Sequence, residues 1–174
     1  MARGDIPCDV LFVGEAPGVS EDALGQPFVG PAGKLLDRVV SASIPTDNGD
    51  CSIHPLRTAF TNLVACFPRE AKATGDHQPA PDEIKACRQR LKEFVRIAKP
   101  KAIICVGQLA KKWIVGQAQF CDEGEDGNPP WLNGESLRFA DIDHPAFILR
   151  SPDVAQSMLI KRAVLRIKNC VIGL

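Results

Sequence analysis

Short apolar runs alternate with helical patterns along most of the sequence. The candidate strands are residues 9–13, 59–64, 102–106 and 137–142. A strand that helices cover on both faces is apolar along its whole length, and strands that alternate with helices are typical of parallel sheets. We therefore expect an α/β fold of three layers, α/β/α, around a central, mainly parallel, four-stranded sheet.

Two helices are predicted from proline starts and apolar spacing. Pro31 suits the first turn of a helix that runs to about Ser43, and Pro81 begins a helix that Lys99 and Pro100 end. Apolar side chains three and four residues apart form one stripe along a helix. In the second helix that stripe is Ile84, Cys87, Leu91, Val95 and Ala98.

The remaining segments predict short helices and loops. A helix is expected over residues 109–115, and Ser151 is a cap residue for a terminal helix that carries several cations. The Gly- and Pro-rich residues 14–33 and the polar residues 68–79 predict loops. Residues 116–135, which are rich in acidic side chains, glycine and proline, predict a loop or a lid.

Composition limits the classes of protein to which this chain can belong. The chain has 174 residues, 45% of them hydrophobic, which is enough for one core, and we expect a single domain over residues 1–174. Its 21 basic side chains balance 21 acidic ones, so a nucleic acid would have to bind a local basic surface. No apolar run approaches the roughly 20 residues that span a bilayer, and no secretory signal is evident. Seven cysteines, an odd number, favour reduced thiols. We expect a cytoplasmic monomer that does not bind membranes.

Ligands of such sheets bind beyond the carboxyl ends of the strands, where four residue choices stand out. The turn from Gly14 to Gly18 could hold a ligand with its N–H groups, or could be a simple connection. Phe28 could stack on a flat ligand or fill the core. Asn62 could bind the edge of a base or cap a turn. His144, beside a proline, could be catalytic, although a lone histidine is more often structural.

Taken together, these segments resemble the uracil-DNA glycosylase superfamily, and most closely its bacterial and archaeal iron–sulfur branch, family 4. The matching segments occur in the order of the family and cover most of the chain. They are residues 10–18 (VLFVGEAPG), 21–22 (ED), 25–37 (GQPFVGPAGKLLD), 61–66 (TNLVAC), 81–87 (PDEIKAC), 100–107 (PKAIICVG) and 144–150 (HPAFILR).

The resemblance implies a monofunctional DNA N-glycosylase that flips uracil or another modified base out of DNA and hydrolyses its N-glycosidic bond, leaving an abasic site. Phe28 would stack on the base and Asn62 would hydrogen-bond its edge. His144 would donate to the base oxygen that gains charge as the bond breaks. The expected partner is DNA that contains a deaminated or modified base.

Three further residues would surround the base and the reacting sugar. Gly14 and Ala16 would contact the base. Glu15 would orient or deprotonate the attacking water, and its carboxylate could stabilise the cationic sugar. Ala16 stands where another member of the superfamily has an aspartate in its Gly-Gln-Asp-Pro-Tyr turn, so the identity of the general base stays open.

The segment after His144 resembles the wedge that fills the gap left by a flipped nucleotide. Its DNA-binding residues would be Pro145, Ala146, Phe147, Ile148, Leu149, Arg150 and Ser151. The apolar ones would enter the duplex, while the arginine and the serine would hold phosphates. The alternative is that the apolar residues pack inward. Specific loops, with the basic terminal helix as a second source, would supply the affinity for DNA.

Cysteine positions decide whether a cofactor is expected. Cys66 and Cys87 match the later pair of family 4 cluster ligands, while the upstream pair has no counterpart. A four-cysteine [4Fe–4S] site would have to recruit Cys8, Cys51 or Cys121. We expect no cofactor, with Cys66 and Cys87 as small buried hydrophobes and the cluster as the alternative.

Other departures from the family pattern leave the substrate open. Ala65 and Phe67 stand where basic residues are expected, and residues 122–126 are acidic, so the base removed could be larger than uracil. One alternative function is a non-catalytic or weakly catalytic protein that binds damaged bases or nucleotides on the same fold. A third is an enzyme that acts on free nucleotides.

Overall fold

A computed structural model describes residues 1–44, 56–68, 78–115 and 136–174. These residues form a five-stranded sheet with the order β1-β3-β2-β4-β5. Neighbouring strands from β3 to β5 pair in parallel, and only β1 is antiparallel to its neighbour. The strands are β1 (Arg3–Gly4), β2 (Val10–Gly14), β3 (Thr58–Asn62), β4 (Ala102–Val106) and β5 (Arg138–Ile142). The predicted fold class is confirmed, and the two-residue strand β1 adds a fifth strand to the four expected.

Helices cover both faces of this sheet. They are α1 (Val19–Leu24), α2 (Pro31–Ser43), α3 (Pro81–Ala98), α4 (Gln108–Ile114), α5 (Pro145–Arg150) and α6 (Asp153–Val171). No helix in the described part of the chain is both long and apolar enough to cross a membrane.

Alternate side chains of the central strands enter two separate cores. On β2, Phe12 packs with the helices α2 and α6, whereas Leu11 packs with α3 and α4. Strand β4 repeats this pattern, with Ile104 on the first side and Ile103 on the second. Side chains of a strand alternate between the faces of a sheet, so a strand that is apolar throughout requires a helix layer on each face. The three-layer prediction is confirmed by these two cores.

Helix α3 confirms the predicted stripe. Ile84, Leu91, Val95 and Ala98 are buried and Cys87 is partly buried. The Glu83 carboxylate accepts a hydrogen bond from the Ala80 N–H at 2.7 Å and so caps the first turn. At the other end Lys99 adopts the left-handed conformation, with φ of 49°, and ends the helix before Pro100.

Two helices occur where loops were expected, and one predicted cap is wrong. Helix α1 lies within the predicted loop 14–33, and α5 follows His144 directly. Ser151 does not cap the N-terminus of α6, because its hydroxyl donates to the carbonyl of Phe147 at 3.0 Å and it ends α5 instead. The N-cap of α6 is Pro152.

The strand register brings the candidate residues to one end of the sheet, where the carboxyl ends of the parallel strands lie. Gly14 of β2 lies opposite Asn62 of β3, and Val106 of β4 lies opposite Ile142 of β5. The loops that begin at Gly14, Asn62, Gly107 and Asp143 therefore leave the sheet at the same end. The predicted lid 116–135 and most of the predicted loop 68–79 lie outside the described residues.

Candidate active site

A cavity of about 230 Å³ opens at the carboxyl ends of the parallel strands. It brings together Glu15, Phe28, Asn62 and His144, the four residues that the sequence singled out, although the chain separates the first from the last by 129 positions. A larger cavity of about 740 Å³ continues from it and shares Glu15 and His144. Residues that line the first cavity are Glu15, Ala16, Pro17, Gly18, Glu21, Phe28, Ala32, Asn62, Phe67, Pro68, His144 and Ala146.

The Phe28 ring is a wall of the cavity and also part of the core. Its side chain is only 7% exposed and meets Phe60 edge to face, with ring centroids 6.1 Å apart. Phe60 in turn stacks on Phe12 of the central strand at 4.9 Å. The two readings of Phe28, a stacking surface and a core residue, therefore describe two sides of one ring.

An unusual backbone conformation presents this ring to the cavity. Phe28 has φ of 57°, a conformation that non-glycine residues rarely adopt. One carboxylate oxygen of Glu21 accepts hydrogen bonds from the N–H groups of Val29 at 3.0 Å and Gly30 at 2.8 Å, which holds the turn in place. A Cβ on Gly33 would lie 1.8 Å from the Phe28 carbonyl oxygen, so only glycine fits there. The partners of Glu21 lie eight and nine residues away in the chain, so no local sequence pattern indicates its role.

Asn62 faces the same cavity from the end of β3 and is only 4% exposed. A Cβ placed on Gly14 would lie 2.5 Å from Oδ1 of Asn62 and 2.5 Å from Cζ of Phe28. Because Gly14 has no side chain, the Asn62 amide and the Phe28 ring can come close to each other beside it. The amide has both a donor and an acceptor, which is what the edge of a pyrimidine base requires.

Glu15 is partly buried beside the cavity. Burial raises the pKa of its carboxyl group above the usual range, because a charged carboxylate is poorly solvated there. A Cβ on Gly107 would lie 3.2 Å from Oε1 of Glu15 and 3.3 Å from Cδ2 of His144. The Glu15 carboxylate and the His144 imidazole therefore lie on two sides of the space next to Gly107. An atom bound in that space would be within reach of both side chains.

His144 is the N-cap of helix α5, and a backbone N–H group fixes the position of its ring proton. Nδ1 accepts a hydrogen bond from the N–H of Ala146 at 3.2 Å, so the neutral ring carries its proton on Nε2. Burial is the main cause that lowers the pKa of His144. The positive charge of Arg150 adds to this effect, and the carboxylate of Glu21 opposes it. At neutral pH the ring is thus an uncharged donor.

The segment 145–151 divides between the core and the surface. Ile148 is 1% exposed and belongs to the core beside α2 and α6, so it packs inward, as one of the two readings predicted. Pro145 is buried as well. Phe147 is 53% exposed and Leu149 is exposed too, so these two are the apolar side chains of the segment that a nucleic acid can reach. Ala146 lines both cavities, and Arg150 lines the larger one.

Cations of the terminal helix are engaged with the sheet. Arg162 pairs with Asp143, and Arg166 donates to Asp141 at 2.5 Å. Lys111 of α4 reaches the same Asp141 at 3.2 Å. The charges of Arg162 and Arg166 therefore join α6 to the end of β5, and the expectation that the basic terminal helix supplies affinity for DNA stays a prediction.

The described cysteines do not fit a four-ligand cluster. Cys66 is exposed and Cys87 is partly buried, so the expectation of two small buried hydrophobes is wrong for Cys66. Both thiols line a cavity of about 210 Å³. Cys8 precedes β2 and so lies at the amino ends of the strands, away from the cavity. Burial raises the pKa of its thiol to about 12. Cys105 lies within β4 and Cys170 within α6, and each is buried in one of the two cores. Among the described residues, no three His, Cys, Asp or Glu side chains form a group that could hold a metal ion. Cys51 and Cys121 lie outside them.

Comparison with known proteins agrees with this geometry. The chain is 36% identical over 158 residues to the type-4 uracil-DNA glycosylase of Archaeoglobus fulgidus, an alignment that covers 88% of this chain and 73% of the relative. The corresponding enzyme of Thermotoga maritima is 30% identical over 87% of this chain and 71% of its own length. That of Pyrobaculum aerophilum is 32% identical over 86% and 72%. The family model of the uracil DNA glycosylase superfamily matches residues 1–168. With its motif residues gathered at one cavity and this match along nearly its whole length, the chain belongs to the uracil-DNA glycosylase superfamily.

Proposed function

We propose that this protein is a DNA glycosylase that removes uracil, or a similarly modified base, from DNA. One observation carries the proposal: a flat aromatic wall, an amide, a neutral imidazole donor and a carboxylate meet in one cavity, in a chain of this superfamily. Relatives at 30–36% identity bear the name type-4 uracil-DNA glycosylase, which supports uracil as the first base to test.

Base recognition would use Phe28 and Asn62. A base inside a duplex is inaccessible, so it must be flipped out, and the cavity contacts have to recover the free energy lost on unstacking. The Phe28 ring gives the base a flat surface to stack on. The Asn62 amide donates to the exocyclic O4 of uracil and accepts from its N3–H, whereas cytosine presents the opposite pattern on this edge.

Bond breakage would depend on His144. When the N-glycosidic bond breaks, its electron pair leaves with the base, and negative charge gathers on the base oxygen O2. The Nε2–H of His144 donates to that oxygen, and the interaction strengthens as the charge develops. Removing one such donor typically costs about a hundredfold in rate.

Glu15 would act on the sugar and on water. Its carboxylate stabilises the cationic sugar and orients a water molecule toward C1′. The water oxygen bonds to C1′ and gives its proton to Glu15, which releases it to solvent, while the base anion takes up a proton. The products are an abasic site and the free base. No atom changes its redox state in this hydrolysis, so we propose that the reaction needs no redox cofactor.

DNA would lie across the larger cavity. Phe147 and Arg150 are on its lining, and Leu149 is a second exposed apolar side chain of the same helix. We propose that the first two occupy the gap left by the flipped nucleotide while the third contacts a phosphate.

An oligonucleotide assay tests this proposal. Single- and double-stranded oligonucleotides that carry uracil or a series of other deaminated and alkylated bases are incubated with the protein, and abasic sites are revealed by alkaline cleavage. We expect cleavage at uracil, and a loss of about a hundredfold in each of the variants Asn62→Ala and His144→Ala. Arg96→Met, on an exposed side chain of α3 that pairs with Glu93, serves as the control. Selective binding without cleavage of any base would instead identify a non-catalytic binding protein.

A further inference from the structure

Arg90, on helix α3, is bound to the end of the strand that carries Asn62. Its Nη2 donates to the carbonyl of Asn62 at 2.5 Å and to that of Leu63 at 3.3 Å, and its Nη1 donates to the Thr61 hydroxyl at 3.2 Å. We propose that Arg90 is a positioning residue, which aims the Asn62 amide at the base through these contacts with the backbone. The inference rests on the proposed function, because it assigns Asn62 to the reading of a base.

The end of β3 has a strand neighbour on one side only. On that side, the N–H of Leu63 donates to the carbonyl of Gly14 at 2.9 Å, and the N–H of Val64 donates to that of Glu15 at 3.1 Å. On the other side β1 pairs no further along β3 than Phe60. The C=O of Asn62 and the N–H of Leu63 belong to one trans peptide group and point in opposite directions, so the carbonyl of Asn62 faces away from β2. Arg90 takes the place of the missing strand there.

The environment of Arg90 makes this contact costly to build. Its guanidinium is half-buried, and burial lowers its pKa because charge is poorly solvated there. The partners that the structure gives it are two carbonyls and a hydroxyl, all uncharged, and its buried Nε has no hydrogen-bond partner in the described part of the chain. Arg90 therefore contributes a planar set of hydrogen-bond donors to the end of β3, and an apolar side chain cannot replace these donors.

Little movement of Asn62 can be tolerated. Its Oδ1 already lies 2.5 Å from the position of a Cβ on Gly14, and the Phe28 ring borders the same point. An error of about 1 Å in the placement of a recognition group is enough to spoil a reactive geometry. If Arg90 holds the Asn62 backbone on the side away from β2, its loss should act on base selection through Asn62 alone.

A double-mutant cycle with a non-hydrolysable ligand tests this. Two oligonucleotides are compared, one with 2′-fluoro-deoxyuridine and one with 2′-fluoro-deoxycytidine at the same position, because the fluorine slows loss of the base and leaves its edge unchanged. The quantity measured is the ratio of the two dissociation constants. We expect Arg90→Met to reduce the preference for uracil about tenfold, and Arg90→Lys, which keeps the charge and some donors, to restore part of it. In an Asn62→Ala background, Arg90→Met should change the ratio less than about twofold.

Arg138→Met is the matched control. Arg138 also donates to several backbone carbonyls, those of Cys170, Ile172 and Gly173, but at the far edge strand β5. It should leave the preference for uracil unchanged even where it lowers thermal stability. If Arg90→Met does not fold, Arg90→Lys carries the same comparison.

Each outcome decides the matter. A wild-type protein without preference for uracil overturns this inference and the recognition of uracil by Asn62, while the cleavage assay over the series of bases decides the proposed function separately. A wild-type preference that survives in Arg90→Met overturns only the positioning role. Equal losses in the presence and the absence of the Asn62 amide would show a general effect on folding, and would likewise overturn it.

Discussion

Nδ1 of His144 accepts a hydrogen bond from the backbone N–H of Ala146 at 3.2 Å. The neutral ring must then carry its proton on Nε2, the atom that the proposed chemistry requires as a donor. We expect ¹⁵N NMR to show an unprotonated Nδ1 and a protonated Nε2 at neutral pH, with resonances that disappear in His144→Gln. A protonated Nδ1 would contradict the assigned role.

Arg150 should influence the titration of His144. Burial and the positive charge of Arg150 both disfavour the imidazolium, so the pKa of His144 should lie below its ordinary value of about 6.5. Arg150→Met removes one of the two causes, and the pKa measured by NMR should move upward. In the control Arg96→Met, far along α3, the pKa should stay where it is. No response to Arg150→Met would show that this charge does not act on the ring.

Gly14→Ala should damage the candidate site more than the fold. The new methyl group would meet Oδ1 of Asn62 and Cζ of Phe28, both at 2.5 Å, so one of them must move. We expect cleavage of uracil-containing DNA to fall by about a hundredfold, while overpacking lowers stability by about 1–3 kcal/mol. Gly173→Ala, where a Cβ would have nothing within 4 Å, should leave the rate unchanged. Activity that survives Gly14→Ala would mean that the amide and the ring need no fixed spacing.

Glu15 should set an acidic limit to the reaction. Since burial raises its pKa, the carboxylate is lost to protonation at a higher pH than an ordinary glutamate, whose pKa is about 4.3. The rate should therefore decline on the acid side before that value is reached. Glu15→Gln should lower the rate by about a hundredfold or more and remove this decline. Glu93→Gln, which alters an exposed carboxylate of α3, should keep the profile of the wild type.

Phe147 and Ile148 are neighbours with different expected roles. Ile148→Ala empties part of the core and should lower the free energy of unfolding by about 2–5 kcal/mol, as measured by urea denaturation. Phe147→Ala removes an exposed ring, so stability should change little while binding to uracil-containing duplex DNA weakens. Unchanged binding in Phe147→Ala would exclude the wedge role for this residue.

Elements with a strong apolar pattern could be predicted from sequence. Helix α3 was expected from the spacing of Ile84 to Ala98, and its described bounds match, because burial on one face is what holds a helix of this length. The four parallel strands were also expected. Helix α1 gives no such signal, since none of its residues is buried. Strand β1 has only two residues and exists through its pairing with β3.

Some residues of the candidate site could be predicted from local sequence, and others could not. Glu15, Phe28, Asn62 and His144 lie beside glycine, proline or strand ends, so local sequence was enough to single them out. Glu21 and Arg90 support Phe28 and Asn62 through hydrogen bonds to backbone groups eight or more positions away in the chain. Nothing in the local pattern of either residue distinguishes it from an ordinary surface charge. Their roles follow from which backbone groups the fold leaves without partners.

The ion pairs between α6 and β5 also bear on how the protein would meet a polyanion. Arg162 and Arg166 each face an aspartate, so phosphate would have to compete with a carboxylate already in place. Such a contact exchanges one anion for another, and the freed carboxylate takes up a counterion of its own, so the net release of counterions is small. Along this face, association should therefore depend only weakly on salt concentration, and discrimination between sites should come from the nucleotide that enters the cavity.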